Sequence, residues 1–314
     1  VKIINGSTSD DLLRNDELIN IYPKLKDYTF KSTISELVSQ MQAVSKEKAL
    51  SIRKMISFQK HPYAISFFLF LIVVMFVFIQ IQPDTNWATA IHFGAKYNPL
   101  IVAGDYWRLL TPAFVHLDVI HLLLNAVFIY QIGKLMEGYF GWWRTVIIIL
   151  VSAVIGNLFS FAYVENISFG ASTVAFGLIG AILFMCLENR KMFIHLIKGL
   201  ILPILAFSFI WGIIDPSIDV FGHLGGFLGG FLIASILGSP KQQNYLSRSL
   251  LATGTIVFLV LGMFTRGTQL TERTDYESTN VALVAYYLKE NKYQDAVNTI
   301  NKLQVDISPY LKSE

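Results

Sequence analysis

From position 63 onward the chain alternates between unbroken apolar runs and short polar connections. The runs cover 63–80, 113–132, 146–164, 171–187, 193–214, 220–237 and 251–264, the last being the shortest. Most approach the roughly 20 residues a helix needs to cross about 30 Å of hydrocarbon. They predict an all-α membrane protein of seven spans. Brief connections favour antiparallel neighbours in one bundle. The exception is 82–112, a long connection carrying Trp87, Phe93, Tyr97, Tyr106 and Trp107. Such rings suit the membrane interface, where they can be half buried and half wet.

The flanking segments read differently. Residues 1–60 are polar and mixed in sign, with Leu12, Leu13, Ile19, Ile34, Leu37, Met41 and Val44 spaced for short amphipathic helices. They predict a small soluble region. After the last run, 280–309 places Ala282, Ala285, Tyr286, Tyr293, Ala296 and Ile300 at helical spacing. That tail resembles one helix–turn–helix unit of the tetratricopeptide kind, which could not bury its apolar face alone. A protein partner for the tail is therefore expected. The chain opens on Val rather than Met, which leaves room for a preceding segment, and no signal peptide is expected before the first run.

Composition sharpens the class. Hydrophobic residues make up 54% of the chain and charged ones 15%, more apolar than an ordinary soluble domain. The net charge of +3 comes without a basic stripe, so no nucleic-acid partner is expected. Instead Lys46, Lys48, Arg53, Lys54 and Lys60 crowd the approach to the first run, which places the amino terminus in the cytoplasm. Alternation then sets Lys134, Arg144, Arg190, Lys191, Lys241 and Arg248 on that side. The opposite loops, 165–169 and 215–219, carry no Lys or Arg, and the tail emerges outside. A multi-pass cell-membrane protein is predicted. The lone cysteine, Cys186, lies inside an apolar run and excludes an intramolecular disulfide.

Polar side chains within spans are costly, and each is a functional candidate. The second span holds His116, His121 and Asn125; the fourth opens Gly170-Ala171-Ser172-Thr173; the sixth opens Gly222-His223. All three run from outside to inside, so at about 1.5 Å per residue these residues share one shallow layer. Peptide hydrolysis without a metal needs a nucleophile, a base and oxyanion donors. Ser172 can supply the first and His223 the second. His121 and Asn125, four apart on one helix face, can supply the third. No acidic residue is placed to complete a triad, so a dyad is expected. Gly226 and Gly230 share the His223 face and allow close helix packing, as do the pairs Gly222/Gly226 and Gly225/Gly229. Ala175, Gly177 and Gly180 offer a matching lean surface, and Phe176 lies one turn below Ser172 to brace an imidazole.

Taken singly, each residue has a plainer reading. The serine could cap its helix, the histidines could be structural or part of a proton path, and Asn125 could join helices. A proton-coupled path would spread its groups through the membrane's depth, whereas these cluster at one end. A metal site is not expected, because His116 and His121 are five apart and no carboxylate joins them. The glycines of 225–230 have no Lys partner for phosphate. His61, His92 and His195 receive no role.

The run His116…His121-Leu-Leu-Leu-Asn125, then Gly170-Ala171-Ser172, then Gly222-His223-Leu-Gly-Gly226 resembles the rhomboid family of intramembrane serine proteases in order and spacing. Trp107-Arg108, and Glu137 followed by Gly141, extend the likeness, which covers roughly 62–240. It implies six core helices plus a seventh, and hence divisions at 1–60, 61–240, 241–270 and 271–314. It implies a serine endopeptidase acting on transmembrane protein substrates among membrane lipid, with no cofactor. Ser172 and His223 would be the dyad; His121, Asn125 and the Ser172 N–H would bind the oxyanion. His116, Gly170 and Phe176 would support the site. Trp107 and Arg108 would belong to a membrane-embedded loop in the first connection, and Glu137 would help anchor it. Thr173 departs from the glycine that usually follows the serine. Its β-branch is expected to crowd the substrate backbone or shift the oxyanion hole, which would suit a catalytically inactive relative that binds membrane proteins.

Overall fold

The computed structural model divides the chain into two compact units, Val1–Met55 and Ile56–Glu314. It describes residues 61–188, 201–215, 218–238 and 246–306, with a few single positions besides. The expected amphipathic helices of 1–60, the basic cluster up to Lys60 beyond Lys46, the start of the fifth run, and Arg190, Lys191, His195 and Lys241 lie outside the described residues.

Within the second unit the helices are α1 (Tyr63–Gln80), α2 (Trp87–His92), α3 (Asn98–Val102), α4 (Val119–Phe140), α5 (Trp142–Tyr163), α6 (Ser172–Glu188), α7 (Leu202–Ile214), α8 (Val220–Leu237), α9 (Leu246–Arg273), α10 (Glu277–Lys289) and α11 (Tyr293–Leu303). Among the described residues five helices (α1, α4, α5, α8 and α9) are long and apolar enough to cross a membrane, and α6 is a shorter apolar helix. Their outward faces carry Phe67, Phe70, Leu123, Leu124, Phe258 and Leu261, all exposed. A surface of that kind is compatible with lipid rather than water. The fold is an all-α membrane bundle.

Three spans depart most from the sequence expectation, each for a local reason. The second span begins at Val119 rather than 113, because Pro112 sits in a short 3-10 turn (Thr111–Phe114) and Asp118 caps α4 through a 2.7 Å bond from the His121 N–H. His116 therefore precedes the span instead of lying in it. The third span starts early, at Trp142, directly after Gly141, whose φ of +82° ends α4. The seventh, expected to be shortest, is the longest of the described helices at 28 residues. Its Thr- and Arg-bearing turns continue the helix past the apolar stretch that hydropathy marks.

The core is a glycine-lined seam. A methyl added at Gly226 would meet the Thr173 carbonyl oxygen at 2.2 Å, and one at Gly230 the Gly177 oxygen at 2.0 Å. These contacts press α8 against α6, backbone to backbone. Gly225 and Gly229, one position earlier, face α5 at Phe159 and Ile155. The small residues thus serve two neighbours. The tail covers its apolar face by packing on the first connection. Leu283, Val284, Tyr286, Tyr287 and Ala296 bury with Ala88, Ile91, Tyr97 and Leu100. Tyr97 Oη donates to Asn280 Oδ1 at 2.6 Å, and Lys302 pairs with Asp105 at 2.5 Å.

Candidate active site

One cavity of about 850 Å³ opens where α4, α6 and α8 begin. Its lining includes His121, Asn125, Gly170, Ser172, Phe176 and His223, so these six nominated residues converge, whereas His116, Trp107, Arg108 and Glu137 are not among the residues that line it. Ser172 is the first residue of α6, where backbone N–H groups lack intrahelical partners and point out of the helix end. The turn before it is pinned from several sides. Ser168 pairs its backbone with Lys96 (2.8 and 3.2 Å), Gly170 N–H donates to the Pro112 carbonyl (2.8 Å), and Ala171 N–H donates to His116 Nε2 (3.2 Å). Fully buried His116 thus holds the Gly170–Ala171 peptide, one peptide ahead of the one that enters Ser172.

Gly170 has φ +122°, a conformation costly for any side chain, and a methyl there would strike the His121 ring at 2.7 Å. The close approach brings His121 against the serine-bearing turn. Asn125 back-bonds to the His121 carbonyl at 3.0 Å, which keeps the two on one face. His223 stacks on Phe176, with ring centroids 4.2 Å apart and planes 10° from parallel. Its Nδ1 shares a 2.9 Å hydrogen bond with Ser208 Oγ of α7.

Around this centre runs a second polar layer that sequence reasoning missed. Lys96 is buried and donates to the carbonyls of Val164 (2.7 Å) and Asn166 (2.6 Å), joining the first connection to the end of α5. Burial pushes its ammonium down to about 8, against the pull of Asp219. Asp219 accepts from Ser168 Oγ and from the Gly222 N–H, both at 2.7 Å, and so caps the helix that carries His223. The Asp-x-x-Gly spacing was a readable cap signal. Neither Lys96 nor Ser208 announced itself among its neighbours.

The family model for the Rhomboid domain matches residues 103–240. Rhomboid protease GluP of Bacillus subtilis (strain 168) is 34% identical over 235 residues, 74% of this chain and 46% of GluP. YdcA of the same organism is 31% identical over 151 residues, 48% of this chain and 76% of YdcA. Rhomboid-like protease 1 of Toxoplasma gondii is 36% identical over 186 residues, 55% of this chain and 62% of that one. The chain belongs to the rhomboid family. It spans less than half the length of GluP.

In this rhomboid the first connection is stapled by Arg108. That buried guanidinium donates to the carbonyls of Ile91 (2.6 Å) and Ala95 (3.2 Å) and pairs with Asp105 at 3.2 Å. It lies 4.3 Å from the half-exposed Trp107 ring. Glu137 does not anchor this loop. Its two oxygens accept the Ala64 and Ile65 N–H groups at 3.0 Å each, capping α1 instead. The reason is position: Glu137 lies near the carboxyl end of α4, some 27 Å along the axis from Val119 at about 1.5 Å per residue. Thr173 borders the cavity, yet its Cβ and Cγ2 lie over Gly156, within 2.8 Å of where a methyl on that glycine would stand. The β-branch is housed by a glycine on α5. His92, given no role, packs edge-on against Tyr287 of the tail at 5.7 Å.

Proposed function

We propose that this rhomboid is an intramembrane serine endopeptidase that cuts transmembrane segments of other membrane proteins near the outer membrane face. The observation that carries the reading is the single cavity shared by Ser172, His223, His121 and Asn125. With Nδ1 engaged by Ser208, Nε2 is the nitrogen left for the Ser172 hydroxyl. It takes the hydroxyl proton as Oγ attacks the scissile carbonyl. The oxyanion that forms is met by His121, Asn125 and the Ser172 N–H, groups already held in place before charge develops. Collapse breaks the C–N bond as His223 returns the proton to the leaving nitrogen. His223 then takes a proton from water as it adds to the acyl-enzyme carbonyl, and collapse breaks the ester bond as His223 returns the proton to Ser172 Oγ.

An intact substrate helix hides its carbonyls in hydrogen bonds. Segments with glycine or other helix-weakening residues near the cut unwind most readily and are the favoured substrates. The basic residues support a cytoplasmic amino-terminal region and an extracytoplasmic tail. The test is reconstitution in liposomes with a single-span reporter substrate, its products mapped by mass spectrometry. A cut inside the span by the wild type, lost in Ser172→Ala, is the expected result. No cut across a panel of glycine-containing spans contradicts the proposal and leaves a binding role.

A further inference from the structure

A serine hydrolase whose base has no carboxylate partner still needs its imidazole in one tautomer and one orientation. Asp219, the nearest acidic candidate, is committed elsewhere, since its two oxygens serve Gly222 N–H and Ser168 Oγ. The group that does reach the ring is a neutral hydroxyl on another helix. Ser208 Oγ lies 2.9 Å from His223 Nδ1, and with Ile204 and Phe207 it forms the α7 wall of the cavity. Phe176 stacks on one face of the ring. Stacking fixes the plane of an imidazole but not its rotation within that plane. A hydrogen bond to one nitrogen fixes the rotation.

We propose that Ser208 is a positioning residue for His223, accepting the Nδ1–H so that an unprotonated Nε2 faces Ser172. The inference rests on reading Ser172 and His223 as the dyad. The same bond persists when the ring becomes an imidazolium, so no partner moves during the reaction. Because the hydroxyl is neutral, it orients without adding charge and is worth less than a carboxylate at this place. The location also has a consequence. Leu202, Phe207, Ile210 and Ile214 of α7 are exposed, so α7 is a peripheral helix. The Ser208 bond links it directly to the catalytic machinery, and the base is fully oriented only while α7 stands in this position.

The test measures kcat and KM on one reporter span in liposomes for wild type, Ser208→Ala, Ser208→Thr and Ser208→Val. Threonine and valine have the same shape and differ in the hydroxyl. Loss of one neutral hydrogen bond to the base is expected to lower kcat about tenfold in the alanine and valine variants. KM should stay within about twofold, and threonine should restore most of kcat, a rescue that a packing role would not give. Wild-type kcat in Ser208→Val, or equal loss in the threonine and valine variants, overturns the proposal. Activity surviving Ser172→Ala in the same preparation overturns the dyad reading instead, which separates the two failures.

Discussion

At the scale of residues, Thr173 and Gly156 act as a matched pair. A methyl at Gly156 would stand 2.7 Å from Thr173 Cβ and 3.0 Å from the Gly222 carbonyl oxygen. Gly156→Ala is therefore expected to destabilise the protein by about 1–3 kcal/mol, the cost of overpacking a tight core. It should also cut activity, because Thr173 adjoins Ser172. Adding Thr173→Gly removes the side-chain clash and should recover most of the lost melting temperature. A Gly156→Ala melting curve matching wild type would contradict this pairing. Ser172, His121, His223 and Asn125 were legible in the sequence because polar atoms in apolar runs stand out. Ser208 was not, since one hydroxyl in an apolar run ordinarily satisfies itself on its own helix. Lys96 was equally silent: nothing local distinguishes a lysine that will be buried from one that stays in water.

At the scale of elements, the seam between α6 and α8 sets how near Ser172 and His223 come. The Gly230 position looks onto the Gly177 carbonyl, where an added methyl would fall at 2.0 Å. Backbone cannot step aside as a flexible side chain can. Gly230→Ala should thus cost about 3 kcal/mol or more and separate the helices. Gly262 on α9 meets nothing within 4 Å. Alanine there should be neutral, or stabilise by roughly 0.5–1 kcal/mol through helix propensity. Melting of the two single variants in the same detergent checks both, and equal behaviour contradicts the seam. The runs at 63–80 and 220–237 coincide with α1 and α8 because hydropathy and helix end together there. They diverge at α4 and α9. A cap and a proline set the first boundary, while in the second a helix continues beyond its apolar stretch.

At the scale of the whole molecule, the described helices expose apolar side chains, gather Ser172, His223, His121 and Asn125 around one cavity, and leave the tail packed on the first connection. The tail was read from spacing as a helical hairpin in need of a cover. The cover is internal: Tyr97, Leu100, Ala88 and Ile91. Contacts between positions almost two hundred residues apart, such as Thr89 Oγ1 with Tyr286 Oη at 3.1 Å, leave no trace in local periodicity. On the proposed reading, the arrangement gives Ser172 a fixed turn, His223 a stacking partner in Phe176, and His121 a close approach to the serine-bearing turn. Its most direct test is labelling of the detergent-solubilised protein with a fluorophosphonate probe, beside Ser172→Ala and His223→Ala. Labelling of the wild type, absent in both variants, is predicted. Wild-type protein that is folded yet unlabelled, or labelling that survives Ser172→Ala, would contradict the account.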